Sequence, residues 1–322
     1  VALVLLVLGW VAAAGLVGLC VVHEVQPLGT SVAIAAIGVS PLVLPLALPL
    51  GLAAGWRRRW LLATACALVL VCWSFWAGPD FWPFSRAPAA TGPGVRILDA
   101  NVSQSNTDLR VLGRQIGRDD PDVVVLEELT PTSLESLEGT GALRPYRWSI
   151  FRTKFGPGGM GLWSRVPASQ LSLWTVGKGQ VEIEGWIHPS GTVSMRVDGI
   201  HVYAPAFGHR EVDPPATWQR QLAAVRSHLA AEPRPLLVAG DFNATWDLRP
   251  FQRILHLGLS DAAVLAGRGW EMTWPRNQAF VIPYLRLDHV LLSAGLTVTS
   301  YRLGDDPGSD HRPLLVTVAR RA

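Results

Sequence analysis

The stretch Gly308-Ser309-Asp310-His311-Arg312-Pro313 sets a carboxylate beside an imidazole at the mouth of the apolar run Leu314-Leu315-Val316. Gly308 and Ser309 let the backbone turn sharply there, and Pro313 stiffens the exit. Taken alone, an Asp-His pair reads as surface. Its chemistry depends on earlier segments that also end apolar runs with oxygen or nitrogen donors. Asn101 follows Val95-Arg96-Ile97-Leu98; its amide could ligate a hard cation or touch a phosphate oxygen, though a turn residue is the plainer reading. Glu127 and Glu128 close Val123-Val124-Val125-Leu126, and strand side chains alternate, so only one of the two can face a shared site. In Gly240-Asp241-Phe242-Asn243, Asp241 and Asn243 share a face while Phe242 points into the core. A carboxylate and an amide so placed can orient a water and hold a phosphate oxygen; an Asx-type turn explains the same residues. His201 is either a phosphate or proton donor or a core-packed imidazole. Asp288, before the apolar run that starts at His289, offers an imidazole a carboxylate partner.

This set is rich in oxygen, with two histidines added. Such donors suit Mg2+, or Mn2+, rather than structural zinc. The sequence has no His-Glu-x-x-His, no Gly-x-Ser-x-Gly elbow, no Walker loop and no Rossmann fingerprint. Cys20, Cys66 and Cys72 all lie in the N-terminal quarter, so the remainder has neither a disulfide framework nor a thiolate metal site. The expectation is a metal-dependent phosphohydrolase assembled from strand ends.

The elements that must position these groups are short. Residues 95–102, 123–129, 162–164, 193–203, 236–239, 289–293 and 314–318 read as strands, and 108–118 and 217–231 as amphipathic helices. Glycine and proline punctuate them, and there is no internal repeat. Runs apolar on both faces suggest strands buried between layers, hence two packed sheets flanked by helices.

The N-terminal quarter differs. Up to Ala77 the only charges are Glu24 and Arg57-Arg58-Arg59. Setting these aside turns the net charge of +3 into +1 for the rest, which speaks against a generic nucleic-acid binder. Residues 1–22, 31–54 and 60–77 are three apolar runs of the length needed to cross a bilayer, and a cleaved signal peptide would explain only the first. Pro41, Pro45 and Pro49 fall on one face of the second run, which should kink or break. His23 and Glu24 are expected in water at headgroup level, a proton relay being the sharper alternative. Trp56, Trp60, Trp73, Trp76 and Trp82 suit interfacial belts, and Arg57-Arg58-Arg59 marks the cytoplasmic side. The chain then divides into a membrane domain (1–77), a Pro/Gly/Ala-rich linker (78–94) and an extracytoplasmic catalytic domain (95–322).

Leu98-Asp99-Ala100-Asn101-Val102, Pro121-Asp122-Val123-Val124-Val125-Leu126-Glu127-Glu128, Ile200-His201, Gly240-Asp241-Phe242-Asn243-Ala244, Leu287-Asp288-His289-Val290 and Gly308-Ser309-Asp310-His311-Arg312-Pro313 follow one another in an informative order. In wording and order they resemble the endonuclease/exonuclease/phosphatase, or DNase I-like, superfamily. The resemblance implies an α+β fold, a four-layer α/β/β/α sandwich with its site at one edge of the sheets. It implies Glu128 as the main Mg2+ ligand, the family's Gln-Glu being Glu127-Glu128 here, with Asn101 assisting at metal or phosphate and Asp310 supporting the metal. By the same resemblance Asp241 and Asn243 orient nucleophile and phosphate, and His201 donates to a phosphate oxygen or the leaving group. Asp288 then orients His311, which activates water or stabilises developing charge. Arg152 stands where the family often aims a Tyr or Arg at substrate, and is a candidate phosphate contact. Arg165 reads as structural.

Three spans followed by this domain also resemble the VanJ-type membrane proteins of actinobacteria, associated with teicoplanin resistance. That implies a lipid-linked phosphate at the membrane's outer face, such as undecaprenyl pyrophosphate, with no nucleic acid and no obligate protein partner. Residues 279–284, just before Asp288, are a candidate membrane-dipping loop. A surface nuclease, a phospholipid phosphodiesterase and a non-catalytic binder of a cell-wall precursor are the alternatives.

Overall fold

The computed structural model describes residues 2–81, 86–177, 179–205, 213–276, 281–305 and 307–322; Trp82 and the first two residues of the 279–284 loop lie outside them. α1 (Ala2–Val25) is followed by α2 (Ser31–Val43), one 3-10 turn (Leu44–Leu46), α3 (Ala47–Trp56) and α4 (Trp60–Phe81). The stretches Leu3–Val25, Ser31–Trp56 and Trp60–Gly78 are each long and apolar enough to cross a membrane. The expected break in the second is the 3-10 turn holding Pro45. A proline at position i leaves the carbonyl at i−4 without its helical donor. Ser40 Oγ covers the one freed by Pro41, donating to the Ile37 carbonyl at 2.7 Å. The Trp73 indole covers the one freed by Pro45, reaching across from α4 to the Pro41 carbonyl at 2.9 Å. Leu44, Ala47, Leu62 and Cys66 close the bundle core.

Two sequence expectations change here. The tether is shorter than 78–94, because α4 continues to Phe81 and β1 begins at Ala90, paired with Arg321. Thr91 pairs with Arg320, so the last strand's C-terminal end captures this polar stretch, whose own composition reads as linker. His23 does not sit in headgroup water. It is 2% exposed, stacks on Trp76 and hydrogen-bonds the Asp247 carboxylate at 2.5 Å.

The remainder is the expected sandwich. Its strands are β1 (Ala90–Asn101), β2 (Val123–Glu127), β3 (Trp148–Arg152), β4 (Met160–Ser164), β5 (Ala168–Gly177), β6 (Gln180–Ile187), β7 (Met195–His201), β8 (Leu236–Asp241), β9 (Leu259–Asp261), β10 (Asp288–Ser293), β11 (Leu296–Leu303) and β12 (Leu314–Arg321). They form two sheets of order β11-β12-β1-β2-β4-β3 and β5-β6-β7-β8-β10-β9. Ile97, Val125, Leu162, Ile183, Val197, Leu237, Val290 and Val316 fill the space between them. α5 (Arg110–Asp119) and α6 (Pro131–Gly139) cover the first sheet through Leu112, Ile116, Leu134 and Leu137. α7 (Pro214–Ala231) and α8 (Arg249–Leu255) cover the second, with a short α9 (Ala262–Leu265) against β9 and β10. The spacing of Trp218, Leu222, Val225 and Leu229 gives α7 its apolar stripe.

The outer layer of the second sheet has a further member. Ile34 and Ile37 of α2 pack in one cluster with Trp218, Phe242, Leu248 and Phe251. Gln26 extends this seam, donating to the Asp247 carbonyl at 2.8 Å and accepting from the Arg249 amide at 2.9 Å. Gln219 of α7 donates to the Leu28 carbonyl. The α1–α2 hairpin is thus bolted to the sandwich at the segment after β8.

Candidate active site

Strand alternation brings the candidates together. Val95 and Ile97 face the space between the sheets, so Asp99 and Asn101 do too; the same parity carries Glu127, His201, Asp241 and Asp288 to that face. All lie at one end of their strands, where the apolar core gives way to a cavity of about 760 Å3. Gly240 permits the close approach on which this depends. Its φ is +142°, and a Cβ there would lie 1.9 Å from the Ile200 carbonyl oxygen on β7.

Asp241 is fixed from three sides. Oδ1 accepts the Asn243 amide N–H at 2.7 Å, and Oδ2 accepts the side-chain amides of Asn101 and Asn243 at 3.1 and 3.0 Å. The Asx-type turn and the functional reading of this segment are therefore the same structure. Asn101 also donates to Glu128 Oε1 at 3.3 Å while its own oxygen accepts the Ser103 N–H, so it braces two carboxylates. Glu128 and Asn243 take positive φ, +55° and +47°, in backbone that L residues avoid; both strained residues line the cavity. Glu127 points the other way from Glu128, wholly buried beside Asp99, and neither finds a hydrogen-bond partner outside that pair. Burial first, and then each other's proximity, push the Glu127 carboxyl well above the carboxylate range; burial does the same to Asp99.

His311 Nδ1 meets Asp288 Oδ2 at 2.8 Å, leaving Nε2 to face Asp241 Oδ2 at 3.7 Å. Burial opposes its charge, but Asp288 and Asp241 outweigh that and lift His311 to about 10, so it is an imidazolium at neutral pH. Asp288 is held low by His311 against burial, whereas burial pushes Asp241 up to about 8. His201 is the opposite case, a neutral ring lowered by burial. The Gln180 amide donates to Nδ1 at 3.0 Å, which puts the proton on Nε2, facing Glu128 Oε1 at 3.7 Å. Glu182 accepts the His201 backbone N–H at 2.6 Å. Asp310 lines the cavity and accepts the Trp274 indole N–H at 3.2 Å. Arg152 is exposed at the end of edge strand β3 and does not line the cavity. Arg165 pairs with Asp120 and lies over the Tyr146 ring.

Three contributors have roles that no sequence motif assigns. Gln180 and Glu182 sit on a strand that the sequence does not announce, and Ser309 acts through its hydroxyl, donating to the Asn101 carbonyl at 2.7 Å and accepting the His311 N–H at 3.1 Å. Alternating polar and apolar residues from Gln180 to Glu184 are the one signal that could have revealed the first two.

The donor set fits a divalent cation. Asp241 and Asp288 place carboxylate oxygens within 4.8 Å of each other beside the His311 imidazolium, which has no free lone pair and so is no ligand, and Glu128 and Asp310 face the same cavity. The carboxylates outnumber the imidazoles, and a hard, oxygen-preferring ion offsets that excess.

The family model for the Endonuclease/Exonuclease/phosphatase family matches residues 95–311. The chain belongs to that family. Its members are generally metal-dependent enzymes that hydrolyse phosphoester bonds, and the fold described above is theirs. No curated protein matches the sequence. Solved structures agree in fold. An endonuclease/exonuclease/phosphatase from Bacteroides vulgatus is 15% identical, with a TM-score of 0.57 over 70% of this chain and 99% of its own. TDP2 of D. rerio, complexed with single strand DNA product, is 19% identical with a TM-score of 0.56 over 70% of this chain and 98% of its own. The 3' phosphatase NExo from Neisseria, in a point-variant form bound to product DNA hairpin, is 19% identical with a TM-score of 0.55 over 69% and 98%.

Proposed function

We propose that the chain is a membrane-anchored, divalent-metal-dependent phosphohydrolase whose substrate is a lipid-linked phosphate. One observation carries this reading. The cavity that holds Glu128, His201, Asp241 and His311 is walled on its other side by Ile34, Ala35, Gly38 and Val39 of α2, a helix apolar enough for a bilayer. Leu285 and Leu287 continue the apolar wall, and no Lys or Arg is among the described residues that line it. A nucleic acid would need cations along its backbone; an amphiphile needs one polar end and one apolar end, which this cavity offers.

Hydrolysis at phosphorus needs a positioned water and neutralised oxygens. A divalent cation, when bound, supplies charge neutralisation and draws Asp241 back to its ionised form. Asp241 with Asn243 orients the attacking water. His201 donates Nε2–H to a phosphoryl oxygen or the leaving group, and the His311 imidazolium faces the charge that develops.

The finer reading is an undecaprenyl-pyrophosphate-like polyprenyl substrate at the outer membrane face, serving cell-wall lipid recycling and glycopeptide tolerance. It rests on the VanJ-type resemblance and on Arg57-Arg58-Arg59, which under the positive-inside rule keeps the α3–α4 turn cytoplasmic. Purified full chain with Mg2+ or Mn2+ should release phosphate from polyprenyl pyrophosphate, and Asp241→Asn should lower kcat by roughly 10²–10⁴-fold. Degradation of plasmid DNA without phosphate release would make it a nuclease, and unchanged release by Asp241→Asn would remove this site from the reaction. A reporter active only outside the cell, fused after Ala322, should work; silence would invert the topology.

A further inference from the structure

On the outer face of the second sheet, one helical turn of α7 meets two neighbouring strands. His228 in the last turn of α7 and Glu232 at its C-cap look at Glu184 of β6 and Asp198 of β7, which are register partners. Directly opposed like charges on paired strands destabilise a sheet unless something cationic lies between them. Arg196 supplies part of that charge, at 2.8 Å from Glu184 and 2.6 Å from Glu232. Three carboxylates and one guanidinium leave a formal charge of about −2 around the imidazole, the complement of a divalent ion.

The orientation of the donor atoms argues further. Asp198 is wholly buried, and neither of its oxygens has a hydrogen bond; Arg196 Nε and His228 Nε2 are each 3.6 Å away. His228 Nε2, Glu184 Oε2, Glu232 Oε2 and Arg196 Nε are also shut off from water without a hydrogen bond in alignment, although His228 Nε2 and Glu184 Oε2 are only 2.9 Å apart. Short distances with poor mutual aim are what lone pairs directed at a common point produce. One donor atom from each of the four side chains lies within 4.8 Å of all the others. Trp174 stacks on the His228 ring at 3.8 Å, and Ser172 donates to the remaining oxygen of Glu184, so two of the four donors are held from behind.

We infer that Glu184, Asp198, His228 and Glu232 form a second divalent-cation site, separate from the catalytic centre and suited to zinc or manganese. One imidazole with three carboxylates is a mixed donor set that favours these ions over calcium. The bound ion would fasten the last turns of α7 to β6 and β7. On β7 that clamp is three residues, about 10 Å, from His201, and on β6 it is two residues from Glu182. The site therefore stiffens the strands that carry His201 and its supports without touching substrate.

The test uses tag-free, full-length chain in detergent, stripped with a chelator and then titrated with Zn2+ or Mn2+ alone. The parent should take up one equivalent more than His228→Gln, and Asp241→Asn should keep that extra equivalent. Zn2+ should raise the melting temperature of Asp241→Asn and not that of a variant carrying both Asp241→Asn and His228→Gln. Glu232→Gln, at the rim of the cluster, serves if His228→Gln does not fold. Equal uptake by the parent and a folded variant of either residue would overturn the site and leave an ion-pair network.

Discussion

At the scale of single residues, the centre depends on neighbours that keep charges apart. His311 is charged because Asp288 sits against Nδ1, and His201 is neutral because it is buried and Gln180 occupies its Nδ1. Two imidazoles in one cavity thus take different roles. Asp99 and Glu127 form the floor between the apolar core and the centre, and burial raises both. A carboxyl raised in the folded state binds more protons than its unfolded counterpart, so stability falls as pH rises above about 4 and through the folded pKa. Glu127→Gln removes one such group. In chelator, its melting temperature should exceed the parent's by an amount that grows with pH, reaching on the order of a few °C by pH 8. A constant or shrinking gap would mean that the pair does not hold a proton.

At the scale of elements, α2 has two employments. Its Ile34 and Ile37 complete the layer over the second sheet, while Gly38 and Val39 wall the cavity. Gly38 lies against Leu285, whose Cδ2 would be 3.4 Å from a Cβ at that position. Gly38→Leu should fill the apolar end and leave the catalytic end intact. The expected result is a loss of roughly tenfold or more in kcat/KM for a long-chain lipid pyrophosphate, equivalent to about 1.4 kcal/mol, with a small soluble phosphoester unaffected. Equal losses on both substrates would mean that α2 does not hold the tail. The exposed Ile282, 76% accessible and three residues before Leu285, is an apolar side chain of the kind a membrane-dipping loop presents.

At the scale of the whole molecule, the α1–α2 hairpin and the sandwich share a core, so neither is a tether for the other. Removing residues before 86 would uncover Trp218, Leu248 and Phe251 and strip Asp247 of its bonds to His23 and Gln26. Each buried isoleucine contributes roughly 1.5–3 kcal/mol, an upper estimate for a chain with a compact unfolded state. The excised 86–322 chain should melt well below the full chain and self-associate, as scanning fluorimetry and size-exclusion chromatography would read. A monomeric excised chain with an unchanged melting temperature would count against the shared core.

Much of this was legible in residue order. The strand ends bearing Asn101, Glu128, Asp241, Asp288 and His311 stand out because apolar runs start or stop abruptly at polar groups, and the three N-terminal helices stand out because they are long, apolar and almost uncharged. Short range explains it, since alternation, turns and apolar length are properties of neighbouring residues. Edge strands β3 and β5 were not legible, because half-exposed strands lack the apolar run that marks a buried one. Nor was His23, which reads as a span's polar end until Asp247, distant in sequence, arrives beside it. Residue order alone carries the family, the oxygen-rich donor set and the long apolar helices. That the candidate cavity opens onto α2 emerges only on folding, since burial, tautomer and shared walls depend on contacts between segments far apart in the chain.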